Sequence, residues 1–403
     1  GYRGPRSATP VGLPKGAVMR QSANAGPTRA TRAAAVVLAA ILASPAGLLA
    51  SHEAVPGPAA SATASMSDST RMRSAAATPF FAGAFLGDDR STPGAIAAAI
   101  EDFAGLTGGR PALIKTFLRL GDDFSAAGWP GSVARRIHDG GATNFIALDL
   151  DVRSHGGSLL EALAAGEADR DIRATARGLA GIDGVVLVEL GWEMNGNWGY
   201  PWQGAANGGD REAPGRFAAA WRRIVDLFRA EGADNVRWVF SPNTGNPIGG
   251  AAAGEEHWNW YGNYYPGEAY VDYVGVHGFN GPSVWGGPDR PFEKLFDGPE
   301  MGAMLSDLER RFAKPIIIGE FATQESGDGS KATWIEQAYR DMLENPSVVG
   351  AVWFHMDKEA DWRVDSSDAA LRAYRRAVSA PRVSEAFADV SAAGQGGTRV
   401  ASR

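Results

Sequence analysis

The chain has 403 residues, 44% of them hydrophobic and 12 of them tryptophan, enough for one large domain or two ordinary ones with a sizeable core. The formal charge is −7, and residues 1–32 carry six basic groups and no acid, so the remainder sets 33 basic groups against 46 acidic ones. An acidic body argues against nucleic acid as a partner, and a chain without cysteine uses no disulfides.

Basic residues precede the apolar run Ala33 to Ala43, and small residues follow at Ala46 to Ala50. Charge, hydrophobic core and small residues in that order are the pattern of a secretory signal, and the run is short for a membrane span. The expectation is a basic region and signal peptide over residues 1–50, with a natural start at Met19, and a secreted product with no membrane span in its mature form. Residues 51–77 are rich in Ala, Ser and Pro and read as a linker. Residues 78–380 read as one catalytic domain. Residues 381–403, weakest at Gly394 to Thr398, read as a flexible C-terminal tail.

Inside the domain, short apolar runs alternate with helical patterns, as in repeated βα units around a buried parallel sheet. The runs predict strands at Phe80 to Phe85, Ala112 to Leu118, Asn144 to Leu150, Val185 to Leu190, Val236 to Phe240, Tyr273 to Val276, Pro315 to Ile318 and Val348 to Phe354. Between them, Phe217, Trp221, Ile224, Val225 and Phe228 fall on one helical face, as do Trp334, Ile335, Ala338, Tyr339 and Met342, and Met304, Leu308 and Phe312. Eight such units in about 300 residues fit a (β/α)8 TIM barrel, which needs about 250. An open doubly wound sheet is the alternative, but no Gly-x-Gly-x-x-Gly turn follows the first strand.

The fourth predicted strand runs into Glu193 and the seventh into Glu320. In a barrel, strand tips face a common mouth. Two carboxylates about 5 to 5.5 Å apart hydrolyse a glycosidic bond with retention, one as nucleophile and one as acid and then base. Trp198, Tyr200 and Trp202 follow Glu193, and Trp258, Trp260, Tyr261, Tyr264 and Tyr265 form a second aromatic cluster before the sixth strand. Flat aromatic faces suit the C–H faces of sugar rings. Core packing is the other reading, against which stand the interleaved Asn195, Asn197, Asn259 and Asn263. Neither a Ser-His-Asp arrangement nor a His-Glu-x-x-His spacing is supported by the six scattered histidines.

Five collinear stretches resemble glycoside hydrolase family 26, whose best-known members are secreted β-mannanases: Trp192-Glu193-Met194-Asn195-Gly196-Asn197-Trp198-Gly199-Tyr200-Pro201-Trp202, Arg237 to Asn243, Tyr265 to Asn280, Gly319-Glu320-Phe321, and Trp353-Phe354 to Arg363. The resemblance implies a barrel with its acid/base on the fourth strand and its nucleophile on the seventh, hence Glu193 and Glu320 in those roles. It also implies Trp353 as an aromatic floor under the reacting sugar, Trp198 and Trp202 lining the cleft, and Trp192, Asn195, Asn243, His277 and Phe279 as further substrate-binding positions. It implies a polysaccharide or oligosaccharide substrate and neither metal nor organic cofactor; a monomer is expected.

The departures from the family's pattern bear on the substrate. Trp192 stands where relatives often have His, Glu189 where they often have Arg, and Gly199 is an extra residue. His277-Gly278-Phe279-Asn280 replaces the usual Asp-Gly-Tyr-Asn, so the hydroxyl that would hold the nucleophile is missing and Glu320 is expected to hold its proton more tightly unless another donor intervenes. His277 reads either as a polar cleft residue or as a satisfied histidine at the rim, and Lys358, Asp361, Trp362 and Arg363 either as part of a loop that the family also uses or as a solvated charge cluster. The leading expectation is a retaining endo-β-glycanase on β-1,4-mannan. The alternatives are the same machinery on β-1,3-xylan, mixed-linkage β-glucan or an exopolysaccharide, or a catalytically silent carbohydrate-binding barrel.

Overall fold

The computed structural model describes residues 78–87, 92–152, 157–327 and 329–391; the expected signal segment and linker, and residues 392–403 of the expected tail with Gly394 to Thr398, lie outside the described residues. Strands β1 (Phe80–Phe85), β2 (Leu113–Arg119), β3 (Thr143–Asp149), β4 (Val186–Leu190), β5 (Val236–Phe240), β6 (Tyr273–Asn280), β7 (Ile316–Thr323) and β8 (Val348–Phe354) pair in parallel and in chain order. β1 pairs with β8 on one side and β2 on the other, so the sheet closes into a (β/α)8 barrel. The open-sheet alternative is thereby removed.

The helices form where amphipathic periodicity and caps coincide. Thr92 accepts the Ala95 N–H and starts the helix Pro93–Thr107, and Gly108, at φ 85°, ends it. The expected faces are the buried ones in Ala213–Ala230, Met304–Phe312 and Ser330–Glu344. Among the described residues no helix is long and apolar enough to cross a membrane.

Period-two alternation divides the strands between two cores. Phe81, Leu113, Phe145, Leu187, Val239, Tyr273, Ile317 and Val352, one from each of β1–β8, form the cluster that fills the barrel, and each is fully buried. Their neighbours in sequence face the helices. Burying each large side chain contributes about 1.5–3 kcal/mol, so this alternation fixes which residues can reach the mouth.

The described part of the expected C-terminal tail, residues 381–391, differs from its expectation. Residues 383–384 form a short ninth strand, β9 (Val383–Ser384), parallel to β1. Phe387 packs 4.7 Å from Phe81, and Asp389 takes the Tyr273 hydroxyl at 2.8 Å and pairs with Arg237. Residues 383–391 thus pack against the barrel's inner core through Phe81 and Tyr273, instead of belonging to a loose tail. Apolar Phe387 and Val390 are the signal for this, because they supply surface that the floor of the barrel buries.

Candidate active site

Inward parity carries a polar layer directly above the apolar plug. On β2 the inward residue after Leu113 is Lys115, on β4 after Leu187 it is Glu189, and on β6 after Tyr273 and Gly275 it is His277. Three even-numbered strands thus supply one layer, as barrel interiors are built.

Glu320 joins this layer through a β-bulge. Val276 pairs with Ile318 but His277 with Glu320, and on the far side Ile318 pairs with Ala351 but Phe321 with Trp353, so β7 carries one extra residue, Gly319. Unbroken alternation from Ile317 would turn Gly319 inward and Glu320 toward the helices; the bulge keeps Gly319 on the inward side and aims the Glu320 carboxylate into the barrel as well. Only glycine fits at the bulge. A Cβ there would overlap Glu189 Oε1 and stand 2.6 Å from His277 Nε2.

Glu193 lies just beyond β4 with φ +53°, one of three non-glycine residues at positive φ among the described residues. That conformation costs of order 1–3 kcal/mol and persists where the surroundings over-determine it. Here the Glu193 N–H donates to the Ser241 carbonyl (2.8 Å), and its own carbonyl accepts from the Gly196 N–H (2.9 Å) and from Gln203 Nε2 (3.1 Å).

The five side chains form one buried network. Lys115 Nζ donates to Glu189 Oε2 (2.5 Å) and the Gly319 carbonyl (3.1 Å), and stands 2.8 Å from Glu320 Oε1 as a charge contact without hydrogen-bond alignment. His277 places Nε2 2.7 Å from Glu189 Oε1 and Nδ1 3.0 Å from Glu193 Oε1, with Glu320 Oε1 at 3.8 Å from the same Nδ1. Since one atom touches both, Glu193 Oε1 and Glu320 Oε1 lie no farther apart than the sum of the two contacts, 6.8 Å.

The charges follow from burial and pairing. Burial by itself would raise Glu189, but His277 and Lys115 overcome it and hold its pKa at about 2. Burial is the largest influence on His277 and lowers it, and the Lys115 ammonium, 3.4 Å from Nε2, opposes protonation too, but Glu189 and Glu320 together push the imidazole up to about 9. An imidazolium donates from both nitrogens, matching a carboxylate oxygen at each. Lys115 is likewise raised against the effect of burial by Glu189 and Glu320. Glu320 is raised, first by burial and then by Glu193 and Glu189, with Lys115 and His277 opposing. The upward direction agrees with the sequence reading, although burial leads it.

Glu189, His277 and Glu320 offer three ligand atoms within 4.8 Å of one another, a spacing that suits a divalent ion. The Lys115 ammonium already stands against two of them, so the layer is neutralised by a resident side chain.

Above the charged layer runs an aromatic belt from inward or tip positions. Phe117 meets Trp192 (5.2 Å) and Phe85 (5.0 Å), Phe85 stacks on Phe354 (4.9 Å), and Phe354 meets Phe279 (5.4 Å). Phe279 leads to Trp362 (5.5 Å), on which Trp285, 60% exposed, stacks at 5.6 Å. On the β4 side Tyr200 packs on Trp192, and Trp198, 39% exposed, lies against Tyr200.

Several expected site residues serve other purposes. Trp353 is fully buried on the outward face of β8, between Phe321, Trp334 and Tyr374, so its ring faces helices and the next residue, Phe354, faces the mouth. Trp202 is fully buried and its Nε1 donates to the Trp192 carbonyl (2.7 Å). Asn195 is buried and ties the β4 turn to the carbonyls of Asn243 and Gly245, while Asn243 is half-buried at the β5 tip. In the second aromatic cluster Tyr261 and Tyr264 are buried, and Tyr265 stacks 4.1 Å from Phe312; it packs mainly as core. His277, left open between two readings, is a fully buried member of the network. In the loop after β8, Arg363 pairs with Asp361, but Trp362 is buried under Trp285 instead of belonging to a solvated cluster. Lys115, Phe85, Phe354 and Trp285 were missed, although Lys115 stands at inward parity within a predicted strand.

Residues 170–329 match the model described as glycosyl hydrolase family 26. This stretch includes Glu189, Glu193, His277, Gly319 and Glu320. This matched stretch belongs to glycoside hydrolase family 26. Among the chain's relatives, "Endoglucanase H" of Acetivibrio thermocellus is 34% identical over 293 residues, which cover 70% of this chain and 29% of that one. The chain therefore spans less than a third of that relative's length. Among solved structures, the endo-β-1,4-mannanase of Cellulomonas fimi is 17% identical with a TM-score of 0.53, covering 77% of this chain and 74% of that one. The catalytic domain of the family 26 endo-β-1,4-mannanase of Bacillus sp. JAMB-750 is 16% identical with a TM-score of 0.54, covering 76% and 87%. At these identities the two structures bear on the fold alone.

Proposed function

We propose that this chain is a secreted, retaining endo-β-glycanase. The observation that carries the reading is the shared contact of His277 Nδ1 with both carboxylates, which bounds the Glu193–Glu320 oxygen separation at 6.8 Å. Retaining sites need about 5–5.5 Å and inverting sites about 6.5–9.5 Å, so the bound leaves little room for inversion. In the first step a Glu320 oxygen attacks the anomeric carbon while Glu193 gives its proton to the leaving oxygen. The carboxylate left on Glu193 then accepts a hydrogen bond from His277. In the second step Glu193 takes a proton from water, the water oxygen bonds to the anomeric carbon, and the bond to Glu320 breaks. The exposed Trp285 and Trp198 and the half-buried Phe117 and Phe279 offer faces to successive sugar rings.

A β-linked glucan has a better claim as substrate than the β-1,4-mannan that the family resemblance suggested. The 34% identical relative is named an endoglucanase, whereas the mannanase structures resemble this chain at 16–17% identity. Mannan stays as the second reading, because the name of a protein more than three times the matched length does not assign that activity to the matched part. Incubating the protein with β-mannan, mixed-linkage β-glucan, cellulose and β-1,3-xylan, and scoring new reducing ends, decides between them. The expected result is release from a β-glucan, abolished by Glu320→Ala. Equal release by the variant, or binding without release on every polymer, would sink the enzymatic reading.

A further inference from the structure

The polar layer holds two charged groups that the reaction itself does not use, Lys115 and Glu189. Both side chains are completely buried. Burying an ion pair is expensive unless its geometry is good and its remaining donors are satisfied, and an apolar pair at these two inward positions would extend the plug below. The groups facing Glu320 are Lys115 from β2, Glu189 and Glu193 from β4, His277 from β6, and Tyr200 from the loop after β4. Of these, Lys115 comes nearest in charge contact, at 2.8 Å, against 3.8 Å for His277.

We infer that Lys115 is a positioning residue for Glu320, and that Glu189 is the counter-charge that holds Lys115 and His277 in place while facing Glu320 as a like charge. Three contacts aim the ammonium: Glu189 Oε2, the Gly319 carbonyl at the bulge, and Glu320 itself. The bulge glycine keeps the strand backbone close enough for the second of these, and its lack of a Cβ leaves room for the Glu189–His277 pair. Lys115 thus couples the orientation of Glu320 to its charge. The inference rests on Glu320 acting as nucleophile.

The two charges act on Glu320 in opposite directions, which separates this role from a merely structural one. Lys115→Met removes the cation that favours the carboxylate, so the acid limb of the kcat/KM profile moves to higher pH, by about one unit or more for a charge at this distance. At a pH one unit below the parent's limb the variant loses at least about ten-fold in kcat/KM beyond any pH-independent loss. Glu189→Gln is compared in a His277→Gln background, because Glu189 also keeps His277 charged; there it removes a like charge and leaves Lys115 to Glu320, so the limb moves to lower pH. The double variant Lys115→Met/Glu189→Gln in that background, without a further net change in buried charge, falls between the two. The profiles are measured on the polysaccharide that the parent cleaves, with Glu320→Ala as control and near-UV circular dichroism as the check on folding.

Opposite shifts support the inference. Shifts in the same direction, or limbs that stay with the parent's, overturn it. If Lys115→Met does not fold, Glu189→Gln in the His277→Gln background decides: a limb that stays or rises overturns the proposal. Turnover by Glu320→Ala at the parent's rate would remove the nucleophile reading beneath it, whereas an inactive Glu320→Ala with unmoved limbs in the other variants removes the Lys115 inference alone.

Discussion

Replacing His277 by Gln tests the charged network through stability, independently of any substrate. His277 is fully buried and its two nitrogens face Glu189 and Glu193 at 2.7 and 3.0 Å. Gln can donate an amide hydrogen to one of these oxygens but carries no charge. The folded protein raises the histidine pKa from 6.5 to about 9, which corresponds to about 3 kcal/mol favouring the protonated folded form. Because the folded value lies above the unfolded one, that contribution is complete below about pH 6.5, shrinks as pH rises, and is gone above about pH 9. Urea unfolding of parent and variant at pH 6 and pH 9.5 is the assay. The expected gap is about 3 kcal/mol at pH 6, beyond any fixed packing difference that persists at pH 9.5. A gap of the same size at both values, or none at pH 6, would refute the protonated, doubly paired histidine.

Gly319→Ala places a methyl against Glu189 and His277; it is expected to cost about 1–3 kcal/mol in urea unfolding and to lower kcat/KM by about 100-fold through displacement of Glu320. Trp353→Ala empties a buried site between β8 and the helices, so unfolding experiments are expected to lose about 3–5 kcal/mol, and a Tm equal to the parent's would contradict that placement. Trp285→Ala is expected to leave stability within about 0.5 kcal/mol while KM for the polysaccharide rises about 2- to 10-fold for a lost stacking contact of about 0.5–1.5 kcal/mol; an unchanged KM would exclude this tryptophan from the cleft.

The barrel itself was legible because its strands are fully buried and apolar, and all eight expected strands occur within a residue of their expected starts. β6 and β7 run on to Asn280 and Thr323 because backbone pairing continues through His277-Gly278-Phe279 and Glu320-Phe321, where apolarity no longer marks it. Glu193 and Glu320 could be found as acids at strand ends. The positive φ that turns Glu193 and the bulge that turns Glu320 inward could not, since both depend on pairing between distant strands. Parity explains the aromatic errors: Trp353 follows inward Val352 and so faces the helices, while Phe354 faces the mouth. The same count applied to Leu113-Ile114-Lys115-Thr116-Phe117 would have found Lys115 inside the barrel. The partnership of Lys115 with Glu189 and Glu320 needed the closed sheet, because it joins β2 to β4 and β7.

The central claim, that Glu193 and Glu320 act as a retaining pair, is tested most directly by the anomeric configuration of the first product. Proton NMR during hydrolysis of the polysaccharide, recorded before mutarotation equilibrates the new reducing end, is expected to show the β-anomer appearing first and the α-anomer growing in afterwards. The α-anomer appearing first would mean single displacement by water and would contradict the account.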